Sequence, residues 1–226
     1  MLTLSLIIPV YNEGAAIGAC LDNLAGLEGE VEILFADGGS TDGTPAAIGD
    51  RYPVLPCPKG RAAQMNTAAR AARGQVLWFT HCDSLLPADG PAQIREAVAR
   101  GAQFGCFHIA FDYHGPFMGC NTYFSNRRAR RSHIAFGDQG IFVTRERFLQ
   151  EGGFPQLPIM EDYEFSRRMK RQGVPLVVLP GTIVTSGRRY RGEYPLVTMA
   201  RMFYLRCLYR AGVDPETIAR KYRDIR

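Results

Sequence analysis

The sequence predicts an α/β fold in which a mostly parallel central sheet carries helices on both faces. Over about the first hundred residues, short apolar runs alternate with segments of helical period, as in parallel strands joined by crossover helices. The chain has 226 residues, of which 46% are hydrophobic and 22% are charged. These values predict one packed domain and exclude an intrinsically disordered chain.

The first half of the chain is predicted to supply four strands and their helices. Apolar runs at 4–10 and 31–36 flank an Ala- and Leu-rich segment of helical period, which makes a βαβ opening. The Ala-rich segment 60–73 ends before Gly74, and glycine is common directly after a helix. The predicted elements are a strand at 4–10, a helix at 15–27, a strand at 31–36, a weak helix at 46–51, a short strand at 54–56, a helix at 60–73, a strand at 75–80 and a helix at 89–100.

The second half changes character and is predicted to form a second wall of the ligand site. Aromatic and basic residues dominate one of its helices, and acidic residues open another. The predicted elements are strands at 103–113 and 139–144, a further strand before residue 188, and helices at 117–131, 161–171, 193–210 and 215–223.

Net charge differs between the two halves. Residues 1–113 carry a net charge of −5 and residues 114–226 a net charge of +10, and 24 of the 27 basic residues are Arg. No recognised nucleic-acid-binding motif accompanies this charge, so we expect no nucleic-acid partner. The segment 201–210 mixes aromatic residues with Arg at helical spacing, which is typical of helices that pack on their own domain and also of helices that contact a membrane surface.

Several classes of protein are excluded because their sequence features are missing. No apolar run is long enough to span a membrane as a helix, and the segment around Pro9 lacks the features of a signal peptide. The six cysteines have neither CxxC pairing nor zinc-type spacing, which favours free thiols in a reducing cytoplasm. The motifs of dinucleotide-binding folds, P-loop enzymes and α/β-hydrolases are absent as well.

Polar residues cluster directly after three of the predicted strands. The clusters are PVYNE at 9–13, DGGSTDGT at 37–44 and HCD at 81–83. Because neighbouring parallel strands end at the same edge of a sheet, these clusters should converge on one ligand-binding cleft. Asp37 could accept hydrogen bonds from a base or ribose, and the segment 37–44 is equally typical of an Asx-rich turn that caps the next helix.

Three carboxylates are candidates for chemistry. Asp83 follows a buried strand, where a carboxylate is costly unless it binds a cation or accepts several hydrogen bonds, and helix capping is the alternative. Glu161 and Asp162 stand at the start of a predicted helix, where acids often only cap the helix or complement its dipole. Their combination with the strand-end clusters favours a downstream acid that accepts a proton.

Six motifs stand in a characteristic order along the chain. They are SLIIPVYNE at 5–13, ADGGSTDGT at 36–44, GRAAQMNTAARAARG at 60–74, FTHCDS at 79–84, EGGFP at 151–155 and MEDYEF at 160–165. In this order and spacing, over about residues 3–190, the chain resembles a family 2 glycosyltransferase of the GT-A fold. Its compact size and the segments TSGRRY and YRAGVDPETIARKY are similar to those of a small bacterial branch associated with selenium or arsenosugar pathways.

The resemblance implies a donor site for a nucleotide-diphospho-sugar, with a uridine diphosphate sugar expected. Asp83 would be the last acid of a DxD-type motif and would bind a divalent cation, Mg²⁺ or Mn²⁺, bridged to the pyrophosphate. His81 replaces the first acid of that motif, which departs from the family pattern. The basic pair 188–189 resembles part of a family motif that meets diphosphate or acceptor, and a solvated basic turn is its alternative. The residues implied in donor binding are Pro9, Tyr11, Glu13, Asp37, Gly60, Arg61, Asn66, Asp83, Arg188 and Arg189.

The resemblance also implies the chemistry and the organisation of the chain. Asp162, with Glu161 beside it, matches the ED pair whose acid serves as catalytic base, and one direct displacement would invert the anomeric centre. We expect a GT-A domain over 1–190, whose nucleotide-binding half extends to about residue 100 and is followed by the acceptor and catalytic half. Helices at 191–226 are expected to pack on the same domain.

Three other functions stay open at this point. A nucleotidyltransferase-like enzyme would have a related scaffold, but Tyr11, Asn12 and Glu13 occupy the place of its basic Gly-rich loop. A non-catalytic nucleotide-sugar-binding protein is suggested by His81, and a nucleic-acid binder by the basic second half. The expected location is cytoplasmic, with peripheral membrane contact through the C-terminal basic and aromatic helix, and the acceptor and oligomeric state are open.

Overall fold

The computed structural model describes residues 2–115, 117–190 and 194–223, and its centre is an eight-stranded sheet. The strands are β1 (Leu4–Val10), β2 (Glu32–Asp37), β3 (Val54–Pro56), β4 (Val76–Phe79), β5 (Ser84–Leu85), β6 (Phe104–Phe111), β7 (Phe142–Thr144) and β8 (Val177–Thr185). The helices are α1 (Ile17–Ala25), α2 (Thr44–Ile48), α3 (Arg61–Ala71), α4 (Gly90–Ala99), α5 (Met118–Ser132), α6 (Arg145–Gln150), α7 (Glu161–Arg171), α8 (Pro195–Arg210) and α9 (Pro215–Arg223). None of the helices in these described ranges combines the length and the hydropathy that crossing a membrane requires.

The strand order β3-β2-β1-β4-β7-β6-β8-β5 brings the polar strand ends together. Strands β3, β2, β1 and β4 are parallel, with Val10 of β1 paired to Asp37 of β2 and Ile7 of β1 paired to Phe79 of β4. Beyond β4 the sheet is mixed, because β7 is antiparallel to both of its neighbours while β6 and β8 are parallel. The ends of β2, β1 and β4 therefore lie side by side, as the sequence predicts.

Successive residues of β1 bury opposite faces of the sheet. Ile7 faces a core formed with the alanine-rich side of α3 and with α6 and α7. Leu6 and Ile8 face a second core formed with α1 and α4. Because both faces are covered, the parallel strands read as continuous apolar runs in the sequence, and the predicted helices on both faces are confirmed.

The structure differs from the sequence-based prediction mainly in the second half. Helix α6 and strand β5 are not predicted, since six and two residues are too short for a period to stand out. The strand predicted at 139–144 begins only at Phe142, because residues 137–139 form a 3₁₀ turn and Gly140 has a φ of +62°. The predicted start of the penultimate helix at Glu193 lies outside the described residues, and α8 begins at Pro195, a residue favoured in the first helical turn.

The two C-terminal helices pack against the beginning of α7. Leu205 of α8 and Ile218 of α9 are buried in one cluster with Tyr163. The rings of Tyr163 and Tyr209 meet edge to face at 5.8 Å, and the Tyr209 hydroxyl donates a hydrogen bond to Glu164 (3.1 Å). Helices α8 and α9 thus support the segment that carries the two candidate catalytic acids.

Candidate active site

The loop after β1 and the turn after β2 are joined by hydrogen bonds between their polar residues. The backbone N–H of Thr41 donates to the side-chain oxygen of Asn12 (2.8 Å). The Asp42 carboxylate accepts from the N–H groups of Gly14 (2.8 Å) and Thr44 (3.0 Å). The Thr44 hydroxyl and these N–H groups lower the pKa of the Asp42 carboxyl. The two strand-end segments therefore form one polar rim at this edge of the sheet.

Asp37 ends β2 on this rim and is 8% exposed. Its carboxylate accepts hydrogen bonds from the N–H groups of Gly39 and Ser40, both at 3.1 Å, and from the Ser40 hydroxyl at 2.5 Å. These are the contacts of an Asx turn, which is the alternative that the sequence predicts for the segment 37–44. A carboxylate has about four lone-pair positions, and Asp37 retains the capacity to accept another hydrogen bond from a ligand.

Gln64 of α3 fastens the ends of β1 and β2 to each other. Its buried side-chain amide donates to the carbonyl oxygens of Val10 (2.8 Å) and Ala36 (2.7 Å). A Cβ atom on Gly38 would lie 3.1 Å from this amide, so glycine permits the close approach. Gln64 is a positioning residue that sequence analysis missed, although it stands inside the GRAAQMN motif.

Replacing Gln64 with leucine is expected to lower the free energy of unfolding by about 2 kcal/mol, because two buried hydrogen bonds are lost, although the Val10 carbonyl still accepts from the N–H of Gly38 (2.9 Å). Urea unfolding of the purified variant measures this change. The matched control is Gln150→Leu in α6, where the exposed side chain donates a hydrogen bond to Glu146 and the expected change is within about 0.5 kcal/mol. Equal stability of the two variants would contradict the positioning role.

Two carboxylates beyond β1 and β4 meet one guanidinium group. Arg188 lies 3.4 Å from Asp83 and 3.7 Å from Glu13. Both acidic side chains are 20% exposed, whereas Cys82, the residue before Asp83, is buried in the core. The structure thus brings together three residues that the sequence predicts for donor binding, and it leaves their charged groups within reach of solvent.

Asp162 lies in the first turn of α7 with 7% of its surface exposed. One carboxylate oxygen accepts from the N–H of Gly137 (2.8 Å) and the other from the N–H of Tyr163 (2.7 Å). A Cβ atom on Gly137 would lie 2.9 Å from Nε2 of His81 and 3.3 Å from Oδ2 of Asp162. Glycine at position 137 therefore lets the imidazole and the carboxylate approach the same stretch of backbone. The side chains of His81 and Asp162 both line one small pocket.

Glu161, the neighbour of Asp162, is committed to an ion pair. Its carboxylate is 1% exposed and accepts a hydrogen bond from the guanidinium of Arg61 at the start of α3, which is 39% exposed. Burial raises the pKa of the Glu161 carboxyl, while Arg61 acts in the opposite direction. Burial by itself would lower the pKa of Arg61, but Glu161 and Asp162 raise it above its ordinary value. This pair joins α3 to α7.

Two residues predicted for donor binding contact protein groups in the structure. The buried amide of Asn66 donates to the carbonyl of Phe154 (2.8 Å) and accepts from its N–H (2.9 Å), which fixes the loop at 151–155. The guanidinium of Arg189 lies 5.0 Å from the ring centre of Tyr222 in α9 and hydrogen-bonds to its hydroxyl. The side chains of both residues are thus directed to neighbouring segments.

The remaining predicted residues surround the rim. Tyr11 is 38% exposed, and the ammonium group of Lys59 lies 3.9 Å from its ring centre. Gly60 precedes α3 with a φ of +130°, and Pro9 is half-buried within β1 opposite Ala36. The Tyr11–Lys59 contact, which the sequence did not reveal, brings the loop before α3 to this rim.

Comparison with a family model identifies the class of protein. Residues 5–153, more than half of the chain, match the model of glycosyl transferase family 2. The chain belongs to this family. The matched part of this family 2 glycosyltransferase holds the three strand-end clusters and ends before α7, so Glu161 and Asp162 lie beyond it. No curated protein was found to match the chain.

Solved glycosyltransferase structures share the GT-A fold of this chain. One is the mannosyltransferase PcManGT from Pyrobaculum calidifontis in complex with GDP-Man and Mn²⁺, with a TM-score of 0.66 and 21% identity over 98% of this chain and 69% of that one. Another is S. aureus TarS 1-349 in complex with UDP-GlcNAc, with a TM-score of 0.65 and 16% identity over 86% of this chain. The alignment spans 61% of that TarS chain. The predicted fold class is confirmed.

Proposed function

We propose that this glycosyltransferase moves a sugar from a nucleotide-diphospho-sugar to an acceptor hydroxyl with inversion at the anomeric carbon, and that the donor is a uridine diphosphate sugar. Family membership supports glycosyl transfer. Structures with the same fold contain GDP-Man or UDP-GlcNAc, which supports a nucleotide-sugar donor.

In this proposal the nucleoside binds at the rim formed by the ends of β1 and β2. The exposed ring of Tyr11, next to the ammonium group of Lys59, offers a face on which a base can stack. Asp37 accepts one hydrogen bond from the base or ribose with the lone-pair position that its own turn leaves available. We assign Asn66 and Arg189 to positioning roles, since their side chains are already bonded to neighbouring segments.

The diphosphate is proposed to lie beside Asp83, together with a divalent cation. In the part of the chain that the structure describes, no group of three or more His, Cys, Asp or Glu side chains could hold a metal by itself. Glu13 and Asp83 nevertheless hold a positive group, the guanidinium of Arg188, between hard oxygen donors. Mg²⁺ commonly uses one or two carboxylates plus substrate phosphates, so these residues fit a cation that binds with the donor. A bound cation would stabilise negative charge on the departing diphosphate.

Asp162 is proposed to accept the proton of the acceptor hydroxyl. Its carboxylate is oriented by the N–H groups of Gly137 and Tyr163, and each oxygen keeps a second lone pair for the acceptor. Glu161 is less suited to this role because its carboxylate is paired with Arg61 and is almost fully buried. A single displacement with the base on the side opposite the leaving group inverts the anomeric centre.

One observation carries the proposal. The side chains of His81 and Asp162 both lie next to the backbone of Gly137. Asp83, two residues after His81, contacts Arg188. His81 and Asp83 are two residues apart, and consecutive Cα atoms lie about 3.8 Å apart. The proposed base, beside His81, and the proposed diphosphate site, beside Asp83, are therefore close to the same short segment, 81–83. This proximity supports a displacement in which a leaving diphosphate and an attacking hydroxyl are held close to the same sugar.

A thermal-unfolding panel with nucleoside diphosphates and nucleotide sugars tests this function. A ligand at one hundred times its dissociation constant stabilises the folded state by about 2.7 kcal/mol, which corresponds to a midpoint shift of about 5 to 11 °C for a domain of this size. We expect uridine diphosphate and its sugars to give the largest shift, and more so with Mg²⁺ or Mn²⁺. A panel in which no nucleotide shifts the midpoint would contradict the proposal.

Replacing Asp83 with asparagine is expected to weaken cation-dependent binding of the nucleoside diphosphate roughly tenfold to a hundredfold, because one ionic partner is lost at a charged ligand. Calorimetric titration of the protein with the nucleoside diphosphate, first in the presence of Mn²⁺ and then in the presence of a chelator, measures the change in affinity. Asp50→Asn removes an exposed carboxylate on the surface and serves as the matched control, with wild-type binding expected. Wild-type protein that binds equally well in chelator would contradict a cation at Asp83.

A further inference from the structure

Exposed apolar side chains are concentrated on two helices of the second half. Among the described residues, eight of the eleven exposed large hydrophobic side chains lie in α5, in α8 or in the residue directly before one of them. They are Phe117, Tyr123, Phe124, Tyr194, Leu196, Val197, Phe203 and Tyr204. Such a concentration differs from the scattered apolar residues of an ordinary protein surface.

Helix α8 has an apolar face on each side. Leu205 is buried against Tyr163 of α7, and this inner face holds the helix on the domain. Phe203 is 61% exposed and Tyr204 is 54% exposed, and they continue the outer stripe that begins at Leu196 and Val197. The spacing of seven and eight residues keeps these side chains on one side of a helix. Packing on the domain therefore explains only one of the two faces.

Helices α5 and α8 carry charge of one sign only. Together they contain seven Arg residues and no Asp or Glu, although the chain has 22 acidic residues. The guanidinium groups of Arg128 in α5 and Arg206 in α8 lie 4.0 Å and 5.7 Å from the ring centre of Phe136, so the two helices are neighbours. The exposed Arg residues on them are Arg127, Arg130, Arg131, Arg201 and Arg210.

We propose that the outer surfaces of α5 and α8 dock on the surface of an anionic lipid bilayer. Exposed aromatic rings insert at the level of the headgroups, while arginine side chains bind lipid phosphates, which is the composition of interfacial helices. A second copy of the chain fits this surface less well, because a two-fold interface would bring arginine-rich surfaces together without an acidic partner. The inner face of α8 contacts Tyr163, the neighbour of Asp162, so the docked face lies one helix away from the proposed base.

Co-sedimentation of the full chain with vesicles tests this docking without any need for enzymatic activity. We expect binding to vesicles that contain phosphatidylglycerol, little binding to vesicles of phosphatidylcholine alone, and loss of binding as salt concentration rises. The double substitution Phe203→Ser, Tyr204→Ser is expected to weaken the partition coefficient about tenfold or more, since two inserted rings are lost. A second variant, Arg131→Gln with Arg210→Gln, is expected to weaken binding to the anionic vesicles and to leave the weak binding to phosphatidylcholine vesicles unchanged.

Leu149→Ser is the matched control, because Leu149 is 54% exposed but belongs to α6. It should bind vesicles as the wild type does, and all variants should keep the wild-type midpoint of thermal unfolding. Docking is contradicted if the wild type does not sediment with anionic vesicles, or if both variants bind as tightly as Leu149→Ser. It is also contradicted if sedimentation velocity shows a dimer that the Phe203→Ser, Tyr204→Ser variant dissociates, since the surface would then be an interface between two copies.

Discussion

Asp162→Asn is expected to reduce turnover roughly 10² to 10⁴-fold while donor binding stays nearly unchanged, because the substitution removes the proposed proton acceptor and keeps the size of the side chain. Both carboxylate oxygens accept backbone N–H groups, and the amide of asparagine can replace only one of them. We therefore also expect the free energy of unfolding to fall by about 1 kcal/mol. Turnover is measured as the release of nucleoside diphosphate from the donor, with either the acceptor or water as the attacking group. The assay temperature is kept well below the midpoint of thermal unfolding.

Glu161→Gln is the matched comparison for the base. It changes the adjacent residue in the same way, but its effect on turnover should be smaller because the Glu161 carboxylate is already bound to Arg61. If Glu161→Gln abolishes turnover and Asp162→Asn does not, the assignment of the two acids is reversed. A product with retained anomeric configuration would contradict a single displacement altogether.

The fold was predictable where local signals were strong. Strands β1 and β3 occupy the predicted residues because their apolar runs are bounded by turn-forming residues. Helix α6 was missed because it has only six residues between β7 and a glycine-rich loop. Strand β8 contains Pro180 and Gly181, and its register with β6 shifts after Phe107, so no regular alternation marks it in the sequence.

The sequence predicted which residues belong to the candidate site better than it predicted which of them contact one another. The parallel order of β2, β1 and β4 places Asp37, Glu13 and Asp83 at one edge, which follows from the alternation of strands and helices. The contact between Gly137 and Asp162 joins residues far apart in the chain. The hydrophobic pattern of the sequence does not predict such a contact. It does not predict the contact between Lys59 and the ring of Tyr11 either.

Residues Arg188 and Arg189 show the same limit of sequence-based prediction. Both were predicted to bind the donor because the basic pair resembles part of a family motif. In the structure one contacts Asp83 and the other contacts Tyr222 of α9. The direction of each side chain depends on how the C-terminal helices pack, which is a tertiary property.

Arg61→Met is expected to lower the free energy of unfolding by about 2 to 3 kcal/mol at neutral pH, because it leaves the buried carboxylate of Glu161 without its cation. The usual loss for a broken buried pair is about 3 to 5 kcal/mol. A smaller value is expected here since Arg61 is 39% exposed and part of the interaction is screened by solvent. Urea unfolding at several pH values measures the loss.

The dependence of this loss on pH identifies its cause. Burial raises the pKa of Glu161 in the folded state, and removal of Arg61 takes away the charge that opposes this rise. The unfolded chain ionises Glu161 near its ordinary pKa of about 4.3, so above that pH the folded state binds more protons and stability falls as pH rises. Arg61→Met should therefore approach wild-type stability as pH falls toward this value. The double variant Arg61→Met, Glu161→Gln should recover much of the stability at neutral pH, because residue 161 no longer carries a buried charge without a cation. A loss that is independent of pH and is not recovered by the double variant would mean that Arg61 stabilises the protein through the packing of its side chain instead of through its charge.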